Sequence, residues 1–281
     1  MTAVLFSLGA ALAYGLSDFL GGFISRRTSV WPVALLACAG AALGTLVLAL
    51  VVEGDPSGAD LAWGLLAGVG SGVGTAFLYR GFARGRMGVV APVSAVGAAL
   101  LPAAIAVLTG ERPSTIVWVG IVAAMPGIWL VSREPPSHPE DAAGGSAAGF
   151  VDGIVAGAGF GLLFAALGQV PEGSGYWPVM ATQVASLVAV AVAAVLMGGD
   201  PRPSRGEEWW GLAAGVLATL AVVAFLLARH EGLLSVAAVL TSLYPAFTVL
   251  LATLLLGERL HRSQSVGLAL CVVSVACVAA G

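Results

Sequence analysis

The chain has no lysine and few charged residues of any kind. Only 10% of its 281 residues are charged and 59% are hydrophobic, and the mean hydropathy is +0.99. Soluble domains of this size carry roughly a quarter charged residues, because their outer surface faces water. This chain lacks the residues for such a surface, which predicts that its outer face contacts membrane lipid.

Several classes of function also lack their sequence signatures. The formal net charge of -3 offers no basic surface for nucleic acid. The three histidines are scattered without metalloprotease spacing, no phosphate-binding P-loop is present, and the three cysteines lie in apolar runs without metal-ligand spacing. The sequence therefore predicts a protein that is not an enzyme, with no catalytic residue, metal site, cofactor or nucleic-acid partner.

Apolar runs of membrane-crossing length fill the chain instead. A helix needs about 20 such residues to cross a hydrocarbon core of about 30 Å. Lipid offers no hydrogen-bond partner to the backbone, so the backbone groups of a crossing segment must be paired within the helix. Ten such helices are predicted, at residues 2–23, 31–52, 61–83, 88–109, 115–132, 149–170, 176–198, 209–230, 233–256 and 264–280.

One linker divides the predicted helices into five and five. Residues 134–147 are rich in proline, glycine and acidic residues, and separate a first repeat, 1–133, from a second, 148–281. An odd number of spans makes the second repeat enter the membrane from the opposite side. The predicted fold is an all-α integral membrane protein, with ten transmembrane helices as two inverted five-helix repeats around a central cavity.

A repeated turn supports this division. The triplet Gly-Glu-Arg occurs at 110–112 and again at 257–259, each time after a long apolar run. The glycine is expected to end its helix in the left-handed conformation, and the acid to start or cap the next segment. The shift that superposes the triplets also pairs three further positions, Ala91 with Ala238, Ser94 with Thr241 and Gly120 with Gly267.

Arginine and glycine positions predict orientation and packing. Ten of the twelve arginines fall on one side of the ten-helix plan, so the positive-inside rule places the linker in the cytoplasm and both termini outside. Glycine recurs every four residues at 64, 68 and 72 and at 149, 153, 157 and 161. These stripes predict close helix contacts, which either slide or pack statically.

Asp18 is the most informative polar residue, because a carboxylate within a spanning helix is costly and usually faces the protein interior or a water-filled cavity. Tyr14 lies one turn before it on the same face. The residue is a candidate for proton coupling or for binding a substrate cation. The alternative is that Asp18 lies at the cytoplasmic interface and pairs with Arg26 or Arg27.

Other polar residues within the spans are candidates for the cavity lining. Their alternative role is ordinary packing, with interhelical hydrogen bonds of about 1 kcal/mol each. The candidate substrate-binding or coupling residues are Tyr14, Ser17, Asp18, Tyr79, Ser94, Gln183, Thr241, Ser242 and Tyr244. Arg80 is a further charge near a helix end.

The aromatic-Gly-x-Ser run at 14–17, together with Leu-x-Gly-Glu-Arg at 108–112 and 255–259, resembles the EamA-type branch of the drug/metabolite transporter superfamily. The resemblance covers essentially the whole chain, although Thr109 stands where leucine is typical. It implies a ten-helix basket around a cavity that exports or imports small metabolites such as amino acids.

The expected function is therefore a secondary transporter in the cytoplasmic (inner) membrane, working by alternating access. Its expected partners are a small-molecule substrate, membrane lipid and, for proton-coupled export, protons, and it is expected to be a monomer or homodimer. The alternatives are an uncoupled facilitator or exchanger and, from a different class, an intramembrane enzyme acting on lipid substrates.

Overall fold

A computed structural model describes residues 1–25, 27–83, 87–132, 146–256 and 261–280. Side chains are described at these positions except at 79, 81–83, 87–89, 91, 92, 132, 146–149, 252 and 256. The described helices before the linker are α1 Thr2–Ser25, α2 Val30–Val51, α3 Gly58–Ala83, α4 Met87–Leu108 and α5 Thr115–Ser132. Those after it are α6 Ser146–Leu167, α7 Trp177–Leu196, α8 Gly211–His230, α9 Leu234–Thr241, α10 Tyr244–Leu256 and α11 Arg262–Ala280.

The helices have the length and composition of a membrane protein. Within the described residues, 8 helical stretches are long and apolar enough to cross a bilayer, and two shorter apolar helices, Val93–Leu108 and Thr115–Val131, accompany them. The prediction of an all-helical integral membrane protein is confirmed. The apolar runs identified most helix ends to within three residues, but the helix lengths alone do not confirm ten crossings.

The predicted ninth helix, 233–256, is wrong as a single helix. It is two helices, because α9 ends at Thr241 and α10 begins at Tyr244. Pro245 explains the break: proline has no N–H to donate to the carbonyl of Thr241, and its ring clashes with that carbonyl in a regular helix. Every residue of α9 is buried, whereas most described residues of α10 are half-buried or exposed.

Three of the corresponding helix pairs of the two halves, α2 with α7, α4 with α9 and α5 with α11, pack against each other. The clearest pair is α5 with α11. A Cβ placed on Gly120 would lie 2.7 Å from Cγ2 of Val278, and one placed on Gly267 would lie 2.8 Å from Cγ2 of Val131. The shift that pairs Gly120 with Gly267 also pairs Val131 with Val278, so the same contact is made twice with the halves exchanged.

The glycine stripe of α3 packs against α7, as predicted. A Cβ on Gly64 would lie 2.1 Å from the carbonyl oxygen of Pro178, and one on Gly68 would lie 2.3 Å from that of Thr182. The stripe of α6 packs in the same way against α4, where Gly153 meets Val93. The prediction that these stripes are helix contact faces is confirmed.

Gly215→Ala is expected to lower the stability of the protein. Gly215 corresponds to Gly68 in the other half, and a Cβ there would lie 2.0 Å from the carbonyl oxygen of Ala37 and 2.5 Å from the amide nitrogen of Ala41. Helices α2 and α8 would have to separate, at a cost of about 1–3 kcal/mol. Thermal unfolding of the purified protein should shift down by several degrees.

Gly9→Ala is the matched control, because Gly9 also lies within a helix but a Cβ there meets nothing within 4 Å. The control should leave the midpoint unchanged or raise it slightly, since alanine favours the helix over glycine. Equal midpoints for the two variants would contradict the close approach of α2 and α8.

The ends of the helices form two faces. On the first, which we call the Glu111 face, the end of α4, the ends of α6 and α8 and the start of α9 meet. The Arg229 guanidinium donates to the carbonyl oxygens of Gly168 and Gly232, at 3.2 and 3.3 Å. Leu234, only 2% exposed, packs directly over Gly168, so this face is closed.

On the opposite face, which we call the Arg27 face, the end of α1 meets the segment before α8. Arg205 donates to the carbonyl oxygen of Arg27 at 2.6 Å. Arg80, at the end of α3, pairs with Asp152 near the start of α6.

Candidate functional site

Aromatic rings from four helices meet in the centre of the protein. Tyr14 of α1 contacts Phe164 of α6 edge-on, with ring centroids 6.0 Å apart at 77°. Tyr14 also lies 6.2 Å from Tyr244 of α10, and Phe164 lies 4.9 Å from Phe225 of α8. These separations are in the favourable range for aromatic pairs, so the four rings, which we call the aromatic cluster, hold both halves together.

Asp18 lies next to this cluster. It follows Tyr14 by one turn on the same face of α1, and at Tyr14 this face contacts Phe164 and Tyr244. The side chain is nevertheless exposed. The face of α1 that packs against aromatic rings at Tyr14 is thus accessible one turn nearer the Arg27 face, and we call this opening at Asp18 the cavity.

No ion pair joins Asp18 to another of the described side chains. Arg27 lies elsewhere on α1, with its guanidinium 4.3 Å from the ring centroid of Phe23. Arg26, the other residue considered as a partner, lies outside the described residues. The choice between a cavity residue and the partner of an interfacial arginine therefore stays a prediction.

Hydroxyl groups are concentrated around the break between α9 and α10. Thr241 and Ser242 are both fully buried, and their hydroxyls have no hydrogen-bond partner among the described residues. The break places these hydroxyls within three residues of Tyr244. The predicted cluster of polar residues near Pro245 therefore lies beside the aromatic cluster.

Two further candidates have buried positions in neighbouring helices. Gln183 is 8% exposed and follows Val179 by four residues, so both lie on one face of α7. Val179 packs in the same core as Phe164 and Phe225, which brings Gln183 toward the aromatic cluster. Ser94 is 1% exposed and lies where α4 crosses α6, its carbonyl oxygen 3.0 Å from a Cβ placed on Gly157.

Three other polar candidates have different surroundings. Ser17 donates its hydroxyl to the carbonyl oxygen of Ala214 at 2.9 Å, so it joins α1 to α8. Arg80 pairs with Asp152 and lies 4.1 Å above the ring of Phe77, so protein groups already neutralise its charge. The side chain of Tyr79 lies outside the described residues.

The first Gly-Glu-Arg turn connects the two halves. Gly110 has a φ of 115°, which confirms the left-handed end predicted for α4. The Glu111 carboxylate does not cap the next helix as expected, but accepts hydrogen bonds at the start of α9. The donors are the backbone N–H of Leu234 at 2.6 Å, the backbone N–H of Ser235 at 3.1 Å and the hydroxyl of Ser235 at 2.7 Å.

This correction has a physical reason. The positive end of a helix dipole and its unpaired N–H groups attract a carboxylate, and the packing of α4 beside α9 brings the start of α9 closer than that of α5. Glu258, in the second turn, lies outside the described residues. Among the described residues, no group of three or more His, Cys, Asp or Glu side chains could hold a metal ion.

Both halves of the chain match a known family. The model of the EamA-like transporter family matches residues 1–133 and matches again at 149–280. The chain belongs to this family. The EamA resemblance of the turns and of the run at 14–17 is therefore confirmed, and the chain is a multi-pass membrane protein from a superfamily of transporters.

Solved structures also resemble this EamA family member. One of them, described as "Crystal structure of protein", has a TM-score of 0.68 over 99% of this chain and 98% of its own, with 18% sequence identity. At this identity the likeness shows the fold. No curated protein matches the chain.

Proposed function

We propose that the chain is a secondary transporter that moves a small organic solute across the cytoplasmic membrane by alternating access between its two halves. The observation that carries this proposal is the cavity around Asp18. It lies beside aromatic rings from both halves, is closed toward the Glu111 face by the buried residues of α9 and is open at Asp18, one turn nearer the Arg27 face. Such a site in a member of a transporter family is suited to holding a solute during transfer.

The antiparallel packing supports ten crossings arranged as two inverted repeats, with α9 and α10 together making one crossing. The contacts of Gly120 and Gly267 occur twice with the halves exchanged, as a twofold axis in the membrane plane requires. In transporters built this way the substrate site lies near the bilayer midplane at the interface of the repeats. The aromatic cluster occupies that interface.

The arginines support an orientation. Arg27, Arg80 and Arg205 all lie on the Arg27 face, which the positive-inside rule assigns to the cytoplasm. The conformation described here is then open to the cytoplasm. Closing the cavity there and opening it at the Glu111 face would release the solute outside, which is the direction of export.

Proton coupling through Asp18 completes the proposal. A carboxylate within a spanning helix that faces the protein interior or a water-filled cavity is a common site of proton relay and cation binding. Protonated and ionised Asp18 would then favour different occupants of the cavity. Uncoupled exchange remains the alternative mode, and the experiment below separates the two.

Counterflow in liposomes tests the transport proposal. Purified protein is reconstituted and loaded with unlabelled solutes from a panel of amines, amino acids, organic acids and neutral metabolites, and the entry of each labelled solute is followed. Transient accumulation of at least one solute, absent from protein-free liposomes, is expected. No counterflow across the whole panel contradicts transport by this cavity.

An imposed pH gradient then distinguishes the modes. A coupled transporter drives net accumulation of the solute when the gradient is applied, and accumulation collapses when a protonophore removes the gradient. A facilitator or exchanger shows counterflow in both conditions without net accumulation. That second result would retain transport and reject proton coupling.

A further inference from the structure

We infer that the solute held by this cavity is an organic cation: one positively charged nitrogen carried on an apolar, preferably aromatic, body. The inference deepens the proposed function and rests on it. It depends on two properties of the described cavity, its charge balance and the identity of its walls.

The charge balance of the cavity is negative. Asp18 lies one turn from Tyr14 of the aromatic cluster, and three described arginines make their contacts elsewhere. Arg80 pairs with Asp152, Arg27 lies over Phe23, and Arg229 donates to backbone carbonyls at the Glu111 face.

This balance separates cations from zwitterions. The ammonium group of an amino acid would find Asp18, but its carboxylate would lie within a few ångströms of that same residue without a described cation to pair with. Burying an unpaired carboxylate is strongly unfavourable, and an organic anion would face the same cost together with repulsion from Asp18. A cation without a carboxylate satisfies Asp18 and leaves no charge unpaired.

The walls of the cavity suit the same ligand. Aromatic faces attract a cation that approaches within about 6 Å of the ring centroid, and more strongly where water is displaced. Tyr14, one turn before Asp18, and Tyr244 beside it are both partly exposed, so each offers ring surface to a cation held at Asp18.

Three ligands that share one body test the inference by their charge alone. Phenethyltrimethylammonium carries one positive charge, phenylalanine carries both signs and 3-phenylpropionate carries one negative charge, while each has a phenyl ring on a two-carbon chain. Binding is measured by isothermal titration to the protein in lipid nanodiscs at pH 7.5. The cation is expected to bind at least about tenfold more tightly than the other two.

Variants separate the contributions of charge and ring. Asp18→Asn should lower the affinity for the cation by about tenfold or more, whereas Asp18→Glu should retain most of that affinity. Tyr14→Leu should lower the affinity for the cation, whereas Tyr14→Phe should leave it unchanged, since only the ring face is needed. Glu53→Gln, at an exposed carboxylate in the loop between α2 and α3, changes the net charge equally and should have no effect.

The outcomes for the ligand class and for transport are distinct. Tighter binding of phenylalanine or 3-phenylpropionate, equal binding by all three, or no binding of the cation at millimolar concentration would each overturn the inference, even if counterflow of another solute were found. Cation binding that depends on Asp18 but gives no counterflow in liposomes would uphold the ligand class and overturn the transport proposal.

Discussion

Asp18→Asn is expected to reduce transport by about ten- to a hundredfold in kcat/KM, the loss that follows from removing a charged hydrogen-bonding partner worth about 1.5–3 kcal/mol. Asparagine has the same shape as aspartate, so the packing of α1 against α8 and α10 should persist. Initial rates in liposomes, with whichever solute gives counterflow, provide the measurement.

The fold and the coupling provide the controls for this variant. Thermal unfolding of Asp18→Asn should occur at or above the midpoint of the unsubstituted protein, because a charge in a spanning helix is costly. Residual flux should no longer respond to an imposed pH gradient. Unchanged rates with an unchanged pH profile would contradict both roles of Asp18, whereas Glu53→Gln should leave rate and profile intact.

Glu111→Ala is expected to open the Glu111 face. It removes three hydrogen bonds that one carboxylate accepts from Leu234 and Ser235, and a helix cap alone contributes about 0.5–2 kcal/mol. The balance between the closed and open states of this face should shift by about tenfold or more toward open, since 1.4 kcal/mol is a factor of ten.

Cysteine labelling measures that shift. The native cysteines at 38, 271 and 277 are replaced, and Ala238→Cys places one thiol on the buried side of α9, one turn beyond Leu234. A membrane-impermeant maleimide applied from the Glu111 face should label it faster in Glu111→Ala than in the parent. Glu111→Asp should label at an intermediate rate.

Glu53→Gln serves again as the control, because Glu53 lies at the same face but is exposed. Equal labelling rates for Glu111→Ala and Glu53→Gln would show that the carboxylate does not hold this face closed. Faster labelling accompanied by normal transport would show that the closed state of this face is not required for turnover.

The sequence predicted what depends on local pattern. Apolar runs located the helices, because a helix that crosses lipid must have a certain length and composition. The shift that superposes the two halves identified Gly120 and Gly267 as equivalent positions, and the two glycines make equivalent contacts in the structure. The break at Ser242 was missed although Pro245 was visible. Spanning helices tolerate proline when neighbouring groups satisfy the freed carbonyl, so the sequence alone could not distinguish a kink from a break.

Contacts that join distant parts of the chain could not be predicted. Glu111 is separated from Leu234 by 123 residues. A carboxylate after a helix can accept from several backbone N–H groups, and only the packing of the helices determines which of them it meets. The hydrogen bond from Ser17 to Ala214 has the same origin. The sequence did not identify Phe225 as a candidate, because no local pattern distinguishes a phenylalanine of the aromatic cluster from one that contacts lipid.

The buried hydroxyls of Thr241 and Ser242 bear on how deep the free-energy minimum of this conformation is. A buried hydroxyl without a hydrogen-bond partner costs about 1–3 kcal/mol. Neither of these two hydroxyls has a partner among the described residues. Water or a ligand that reached the break between α9 and α10 would relieve that cost. A carrier whose conformation lay in a deep free-energy minimum would change conformation slowly. The two unsatisfied hydroxyls beside the cavity raise the free energy of this conformation and so ease the transition to the next one.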